Sequence, residues 1–298
     1  MSLLSVHFPA SSVARDSEIA TLGHVDSISD GTLAYADSVK YVREARRNSA
    51  LAALITTPEL ASEARGIRGL VLTLDPRYAF YRLHEKWVRE GLYRRPFEPH
   101  RGTKCRIHPT AVVESECWIG DNVVIGEHAV VRGCVRIGSE VTIEPGARLG
   151  VEGILYHRTS DGPRLIPHGG WVSIGDNCAL MANSTVVRSV HDTDATLVGR
   201  ACIIGLNSVV GHEAQVGACV VVSNNCVLAR RCRVGDGAFL GTSAFIREHV
   251  SVGAGATVMA GAVVIDDVNQ DAVVSGNFAF DHRSRMMEFA KKRRHSQS

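Results

Sequence analysis

The chain has 298 residues, 45% of them hydrophobic and 21% charged, with 33 basic against 31 acidic side chains and a net charge of +2. This length fits one large domain or two ordinary ones, and the even charge balance excludes a general nucleic-acid or membrane-surface binder. No stretch reaches the roughly 18 apolar residues of a membrane-spanning helix. The first residues, MSLLSVHFPASSVARDSE, lack the basic start and apolar run of a signal peptide, so the expectation is a cytoplasmic protein.

Residues 1–100 carry no repeat and read as a small α/β domain. A helix is predicted near 39–47, buried strands at LAALITT (51–57) and GLVLTL (69–74), and a second helix over 75–91. Asp75 caps that helix and Pro76 occupies its first turn. Tyr78, Tyr81, Leu83 and Trp87 partly follow a helical stripe. No glycine-rich phosphate loop is present, which argues against a nucleotidyltransferase domain.

Residues 101–268 are governed by a period of six. From residue 107 an aliphatic residue recurs every sixth position, often followed by glycine: IHPTAV, VESECW, IGDNVV, IGEHAV, and onward. The register breaks after residue 150, resumes at IGDNCA (174), breaks again, and then runs without slip from VGRACI (198) to VIDDVN (264). Period six matches neither the 3.6 of an α-helix nor the alternation of a hairpin sandwich. It matches a triangular solenoid, in which each hexad makes one short strand and three hexads close a coil. Position one points inward, position five points inward at a tighter spot, and glycine at position two is expected to turn the corner. The fold class is therefore mainly β: a left-handed parallel β-helix of hexapeptide repeats, with the small N-terminal α/β domain in front and a short C-terminal helix behind.

Eight cysteines occur without any C-x-x-C pair, which argues against a zinc clip or redox motif. Cys105, Cys117, Cys178, Cys202, Cys226 and Cys232 all fall at position five, so a packing role is expected. The first break, VEGILYHRTSDGPRLIPHGGW (151–171), is long enough to be a functional or interface loop. The second, RSVHDTDAT (188–196), is short and polar, and reads equally well as a solvated loop. The tail, 269–298, reads as a helix ending in Lys291, Lys292, Arg293 and Arg294. Those cations suit a solvated helix end, or a docking site for an acidic carrier protein or phosphates.

Several segments together resemble the UDP-3-O-acylglucosamine N-acyltransferase family. They are AYADSVKY (34–41), DPRYAFYRL (75–83), IHPTAVV (107–113), the loop from GVEG (150–153) to its re-entry at residue 174, VVGHEAQVG (209–217) and IREHVSVG (246–253). The resemblance implies a uridine-binding N-terminal domain and a homotrimer with clefts between neighbouring prisms. It implies His212 as general base and His249 as a second site histidine for the substrate or its phosphates. It implies Tyr35 and Tyr41 around a uracil ring, with Ser38 where the family uses asparagine. No tightly bound cofactor is implied; the co-substrate is an acyl group on coenzyme A or on an acyl carrier protein, and the acceptor a nucleotide-linked amino sugar.

Two departures matter. Gly205 stands where the family has an acid ahead of its catalytic histidine, which leaves Glu213 to orient His212. Ser223, Asn224, Asn225, Arg230 and Arg231 stand where the family lines an acyl groove with small residues. A buried CH₂ is worth about 0.8 kcal/mol only in an apolar slot, so a short or medium acyl group is expected. Asn225, Arg230 and Arg231 become candidate donor contacts, the arginines for its phosphates.

The chemistry agrees with these positions. Acylating an amine needs a base that titrates near neutrality, which is a histidine property. His212 and His249 are 37 residues apart, two coils of 18 plus one, so they share an edge of the prism. A backbone N–H of the glycine-rich coil near Gly235 is the candidate oxyanion donor. The bland alternative is two surface histidines at coil corners beside an exposed Glu213. Other functions stay open: an O- or N-acetyltransferase using acetyl-coenzyme A on a non-nucleotide sugar, or a non-catalytic scaffold. A hexapeptide carbonic anhydrase would need an H-x₄-H pair, which the repeat lacks, so no metal is expected.

Overall fold

The computed structural model describes residues 2–93, 96–159, 162–276 and 287. The expected C-terminal helix and its cations lie outside these residues, apart from helical Met287.

The N-terminal unit is built on a five-stranded sheet in the order Val13–Arg15, Gly69–Leu72, Leu51–Thr56, Thr32–Tyr35, Thr21–Leu22. The first pair is antiparallel and the rest are parallel. Both faces are covered, so alternate residues of one strand enter different cores. Leu33, Ala53, Ile55 and Val71 pack with Phe80, Tyr81, Leu83 and Trp87 of helix α2 (Pro76–Glu90). Ala34, Leu54 and Leu70 pack with Val42 and Ala45 of helix α1 (Val39–Arg47). The Asp75 carboxylate accepts from the Tyr78 N–H at 2.8 Å, and Gly91 ends α2 at φ +64°. Both are the caps a helix needs for its unpaired terminal groups.

From His100–Arg101 to Val273–Val274 the chain winds as a left-handed parallel β-helix of three sheets, with eight, eight and nine strands. Most strands pair with the strand 18 residues on, as Val124 with Thr142 and Val209 with Val227. Across the first break the step is 37, Thr142 to Ala179, and across the second it is 24, Ala179 to Ile203. The two breaks are thus loops thrown out of a prism whose register continues unchanged on either side. The last strand lies past the expected boundary at residue 268.

Inside, positions one and five form one continuous core. The six position-five cysteines do pack there, free of disulfides, and five of the thiols face a corner carbonyl of the next coil. Cys117 reaches the Arg132 carbonyl at 3.1 Å, Cys202 that of Gly217 at 3.0 Å and Cys226 that of Gly241 at 3.2 Å. Ser208, also at position five, makes the same bond to the Ser223 carbonyl at 2.6 Å. A small donor at this spot satisfies a polar group that the ladder does not reach.

The corner itself corrects the expectation about glycine. The left-handed backbone falls at position four: Asn207 has φ +56°, Glu213 +61°, Arg231 +56° and His249 +62°. Position-two glycines do not adopt it, save Gly150 at the start of the first break. They are needed because the neighbouring coil passes too close, a Cβ at Gly199 meeting the Gly217 carbonyl carbon and oxygen at 2.5 Å. Gly199→Ala is therefore expected to destabilise the protein by about 1–3 kcal/mol, whereas Asn207→Gly, which relieves a left-handed residue, costs little. Thermal melts of the two variants check this; equal melting temperatures would refute it.

Candidate active site at the junction of prism and N-terminal unit

Stacked coils place equivalent positions above one another along each corner. His212 and Arg230 sit at position three of successive coils, and Glu213, Arg231 and His249 at position four of three coils in a row. The stacking shows in the backbone: the Arg231 N–H donates to the His212 carbonyl at 3.0 Å, and the His249 N–H to that of Arg230 at 3.3 Å. His212 and His249 therefore share an edge. His212 is 7% exposed and Glu213 6%, whereas His249 is exposed at the far end of the stack.

Glu213 is the hub. Its Oε1 lies 3.6 Å from His212 Nδ1 and accepts the Val190 N–H at 3.2 Å. Its Oε2 lies 3.3 Å from His24 Nε2 and 3.7 Å from Arg231 Nε. Its own N–H donates to Thr196 Oγ1 at 2.8 Å. Burial works to raise this carboxyl, but His212 and His24 outweigh it and hold it well below the usual carboxylate range. Arg231 is tied on its other side to Asp26 at 2.7 Å.

Both register breaks fold onto this hub, and so does the N-terminal unit. The first break forms an antiparallel hairpin, Tyr156–Thr159 with Gly162–Leu165. Its Ile166 is buried in the core of the N-terminal unit, and its His168 ring packs edge-to-face on His212 at 5.3 Å. A Cβ at Gly153 would come within 3.7 Å of the His212 ring, so the loop's entry passes directly over it. The second break is not solvated: Ser189 and His191 are fully buried. Asp192 accepts from Thr21 Oγ1, and His191 packs on the His24 ring at 5.1 Å.

His24, His168, His191 and Asp194 were not legible as site residues. The available signal was positional, since His168 and His191 each stand in a break of the repeat. His24 carries no signal, because only tertiary packing brings it to Glu213. His24, Asp194 and Glu213 offer ligand atoms within 4.8 Å of one another, a spacing that could hold a cation. Arg231 already brings a fixed positive charge to the same carboxylate, and the group reads as an ion-pair network.

Other expected residues are dispersed. Tyr35 ends its strand half-buried against Phe80 and Tyr81, at 5.2 and 5.8 Å. Tyr41 is exposed on α1 under Lys40, and no ring contact joins it to Tyr35 among the described residues. Ser38 precedes α1 without a side-chain capping bond. Asn225 lies on the next corner of the prism, stacked with Asn207 and Ser243, and so apart from Arg230 and Arg231. Arg231 faces the N-terminal unit, not a donor groove. The Gly235 N–H is spent on the Val252 carbonyl at 2.8 Å, because position two always donates to the next coil, so it cannot be the oxyanion donor.

Position three is the exception in the ladder. Its N–H is met by a side chain one coil on where that residue is polar and short: Asp121 for Thr103, Asp176 for Ser139, Asn224 for Leu206, Asp236 for Ala218. Glu248 makes no such bond to the Arg230 N–H. A Cβ at Gly211, one coil back, would lie 2.9 Å from that nitrogen, so the two coils pass closely beside His212.

Burial pushes the His84 and His168 imidazoles down to about 4 and His191 well below its ordinary value. These groups are neutral in both states above the unfolded value of 6.5. As pH falls from there towards 4 the unfolded chain takes up protons that the fold refuses, costing on the order of 3 kcal/mol for each of His84 and His168. The melting temperature is expected to fall between about pH 7 and about pH 5, and His168→Gln to lessen the fall; a flat profile in both would contradict this.

Sequence comparison agrees with the repeat. The bacterial transferase hexapeptide (six repeats) family matches residues 102–133 and 117–150, and the hexapeptide repeat of succinyl-transferase matches 231–265. The UDP-3-O-acylglucosamine N-acyltransferase of Nostoc punctiforme is 29% identical over 124 residues, 41% of this chain and 33% of that protein. Its counterpart in Paracidovorax citrulli is 27% identical over 195 residues, 59% of this chain and 56% of that protein. The chain thus spans about a third to a little over half the length of these curated relatives. Among solved structures, the UDP-N-acetylglucosamine acyltransferase of Campylobacter jejuni is 23% identical, with a TM-score of 0.45 over 60% of this chain and 80% of that one. The hexad repeat and the three-sheet prism thus carry the bacterial transferase hexapeptide repeat over the matched residues, and over part of its length the chain is similar to UDP-3-O-acylglucosamine N-acyltransferases.

Proposed function

We propose that this protein is an N-acyltransferase that moves a short or medium acyl group from a thioester, on coenzyme A or an acyl carrier protein, to the amine of a nucleotide-linked amino sugar. The observation that carries this reading is the buried His212–Glu213 pair, on a corner where the next coil leaves the Arg230 N–H unbonded. A carboxylate at Nδ1 favours the tautomer with its proton there, which leaves Nε2 as the acceptor. Nε2 takes a proton from the amine as the nitrogen attacks the thioester carbonyl carbon. The C–N bond forms and the carbonyl electron pair moves to oxygen. Neighbouring coils are about 4.8 Å apart, so the Arg230 N–H, one coil from His212, is available to that oxyanion. Collapse restores the carbonyl, breaks the C–S bond, and the imidazolium returns its proton to the sulfur. The products are an amide and a thiol.

The acceptor's nucleotide follows a course from the sheet to the prism edge in this reading. Ligands of open parallel sheets bind beyond the carboxyl ends of the strands, and Tyr35 stands at such an end. Burial raises its phenol, and Arg77 and Arg230 act on it electrostatically, while Glu213 acts on the Tyr81 phenol beside it. This run of groups supports a nucleotide sugar extending from the sheet to His212, with Arg77 and Arg230 near its phosphates. Assembly as a homotrimer belongs to the same proposal, supported by the outward aliphatic and aromatic side chains Ile203, Val227, Phe239 and Val263, which are exposed in the single chain.

His212→Ala is expected to lower thiol release from acetyl-coenzyme A with a UDP-linked amino sugar by about 10²–10⁴-fold, with the circular dichroism spectrum unchanged. Near-normal turnover would sink the assignment. Calorimetric titration with UDP-N-acetylglucosamine and acetyl-coenzyme A is expected to show binding of both. Binding of coenzyme A alone would shift the acceptor to a non-nucleotide sugar or natural-product intermediate.

A further inference from the structure

The acyl-transfer reading uses His212, Glu213 and the Arg230 N–H, and leaves His24 unexplained. Yet the segment carrying His24 is the point where the N-terminal unit is fastened to the prism edge. Thr21 donates to Asp192, a Cβ on Gly23 would meet Thr193 Oγ1 at 2.9 Å, His24 pairs with Glu213 at 3.3 Å, and Asp26 pairs with Arg231 at 2.7 Å. A clamp of this kind fixes the imidazole with little freedom to leave the carboxylate.

Burial keeps the floor beneath His24 neutral, and its hydrogen bonds then fix the tautomers. His84 Nε2 faces the Pro167 carbonyl at 2.7 Å, so it must carry the proton. Neutral His84 then presents Nδ1 as an acceptor to the Tyr93 hydroxyl at 2.5 Å. The Tyr93 oxygen in turn accepts from His191 Nδ1 at 3.2 Å. His191 is thereby the Nδ1–H tautomer, and its Nε2 is a buried lone pair without a partner. The floor therefore adds no positive charge next to His24. The charged and titratable groups around His24 are Glu213 and Asp194, which favour its imidazolium, and Arg231, His249 and His191, which oppose it.

We propose that His24 is a positioning residue for acyl transfer: as an imidazolium it shares the Glu213 carboxylate with His212, forming a His212–Glu213–His24 triad to which the N-terminal unit contributes one member. This rests on the acyltransferase reading above and extends it. The carboxylate is divided by geometry, Oε1 towards His212 and Oε2 towards His24 and Arg231. A cation on Oε2 keeps Glu213 ionised in a buried site. It also limits the negative charge available to trap His212 as imidazolium, which would end its use as a base. Burial pulls the His24 imidazole down, but Glu213 more than offsets it and holds it above its ordinary value.

Histidine-selective NMR of the full chain tests the link without a substrate. The His24 resonance should titrate above pH 6.5 in the parent protein and fall below it in Glu213→Gln. In the thiol-release assay with acetyl-coenzyme A and a UDP-linked amino sugar, His24→Gln should move the acid limb of kcat/KM to higher pH by roughly one unit, and His24→Lys, which restores a cation, should move it back. A merely structural histidine would lower kcat in both variants without shifting the limb, and that result overturns the proposal. Zinc binding at one equivalent that is lost in His24→Gln overturns it too, by making the cluster a metal site. If His212→Ala turns over normally the acyl-transfer reading falls, while an unshifted limb beside an inactive His212→Ala removes only the role of His24.

Discussion

The 18-residue coil is the constraint from which everything else follows. A backbone that turns three corners in 18 residues and stacks at strand spacing places a left-handed residue at most of its corners, and at many of them a glycine two positions earlier where the next coil passes close. Once those conditions hold, like positions lie in files along the prism. A file of position-four residues such as Glu213, Arg231 and His249 is then a row of side chains at fixed spacing on a rigid edge. That rigidity suits chemistry that depends on placing one imidazole against one carboxylate. The same geometry leaves the position-three N–H outside the ladder, so each corner carries an amide that a short polar side chain caps or a reacting oxygen can use.

The left-handed corner also explains the residue types found there. Asparagine is the commonest non-glycine occupant, as at Asn122, Asn177, Asn183, Asn207 and Asn225, because its short side chain tolerates this backbone. Glu213, Arg231 and His249 are costlier choices in the same conformation. On the edge that the acyl-transfer proposal uses, three charged or titratable residues stand in a row where asparagine or glycine would fit better.

The prism alone does not complete the site. The two register breaks and the N-terminal unit converge on Glu213, supplying His168, Val190 N–H, His191 and His24. Ile166 carries the first loop into the core of the N-terminal unit, so loop and sheet share one apolar cluster. Burial of His84, His168 and His191 as neutral groups costs acid stability. In return the site has a dry wall around an ion pair, where electrostatic interactions are stronger than in water.

The period of six, with aliphatic residues at position one and small ones at position five, was enough to define the prism and the places where it is interrupted. It also put His212 and His249 on one edge, because stacking converts sequence spacing directly into position, whereas the structure moved Arg231 from the expected donor groove to Glu213 on that edge. Asp75, Pro76 and Gly91 marked the bounds of α2 through local backbone requirements that need no partner. Only the tertiary structure could show that glycine at position two answers to the neighbouring coil and not to its own φ, or that the Gly235 N–H is already bonded. Only it could bring His24, His168 and His191 together, because no period relates loop residues and a strand end of a separate sheet. Their meeting is decided by which apolar surfaces the loops and the N-terminal unit bury against each other, a property of the packed chain and not of any segment in it.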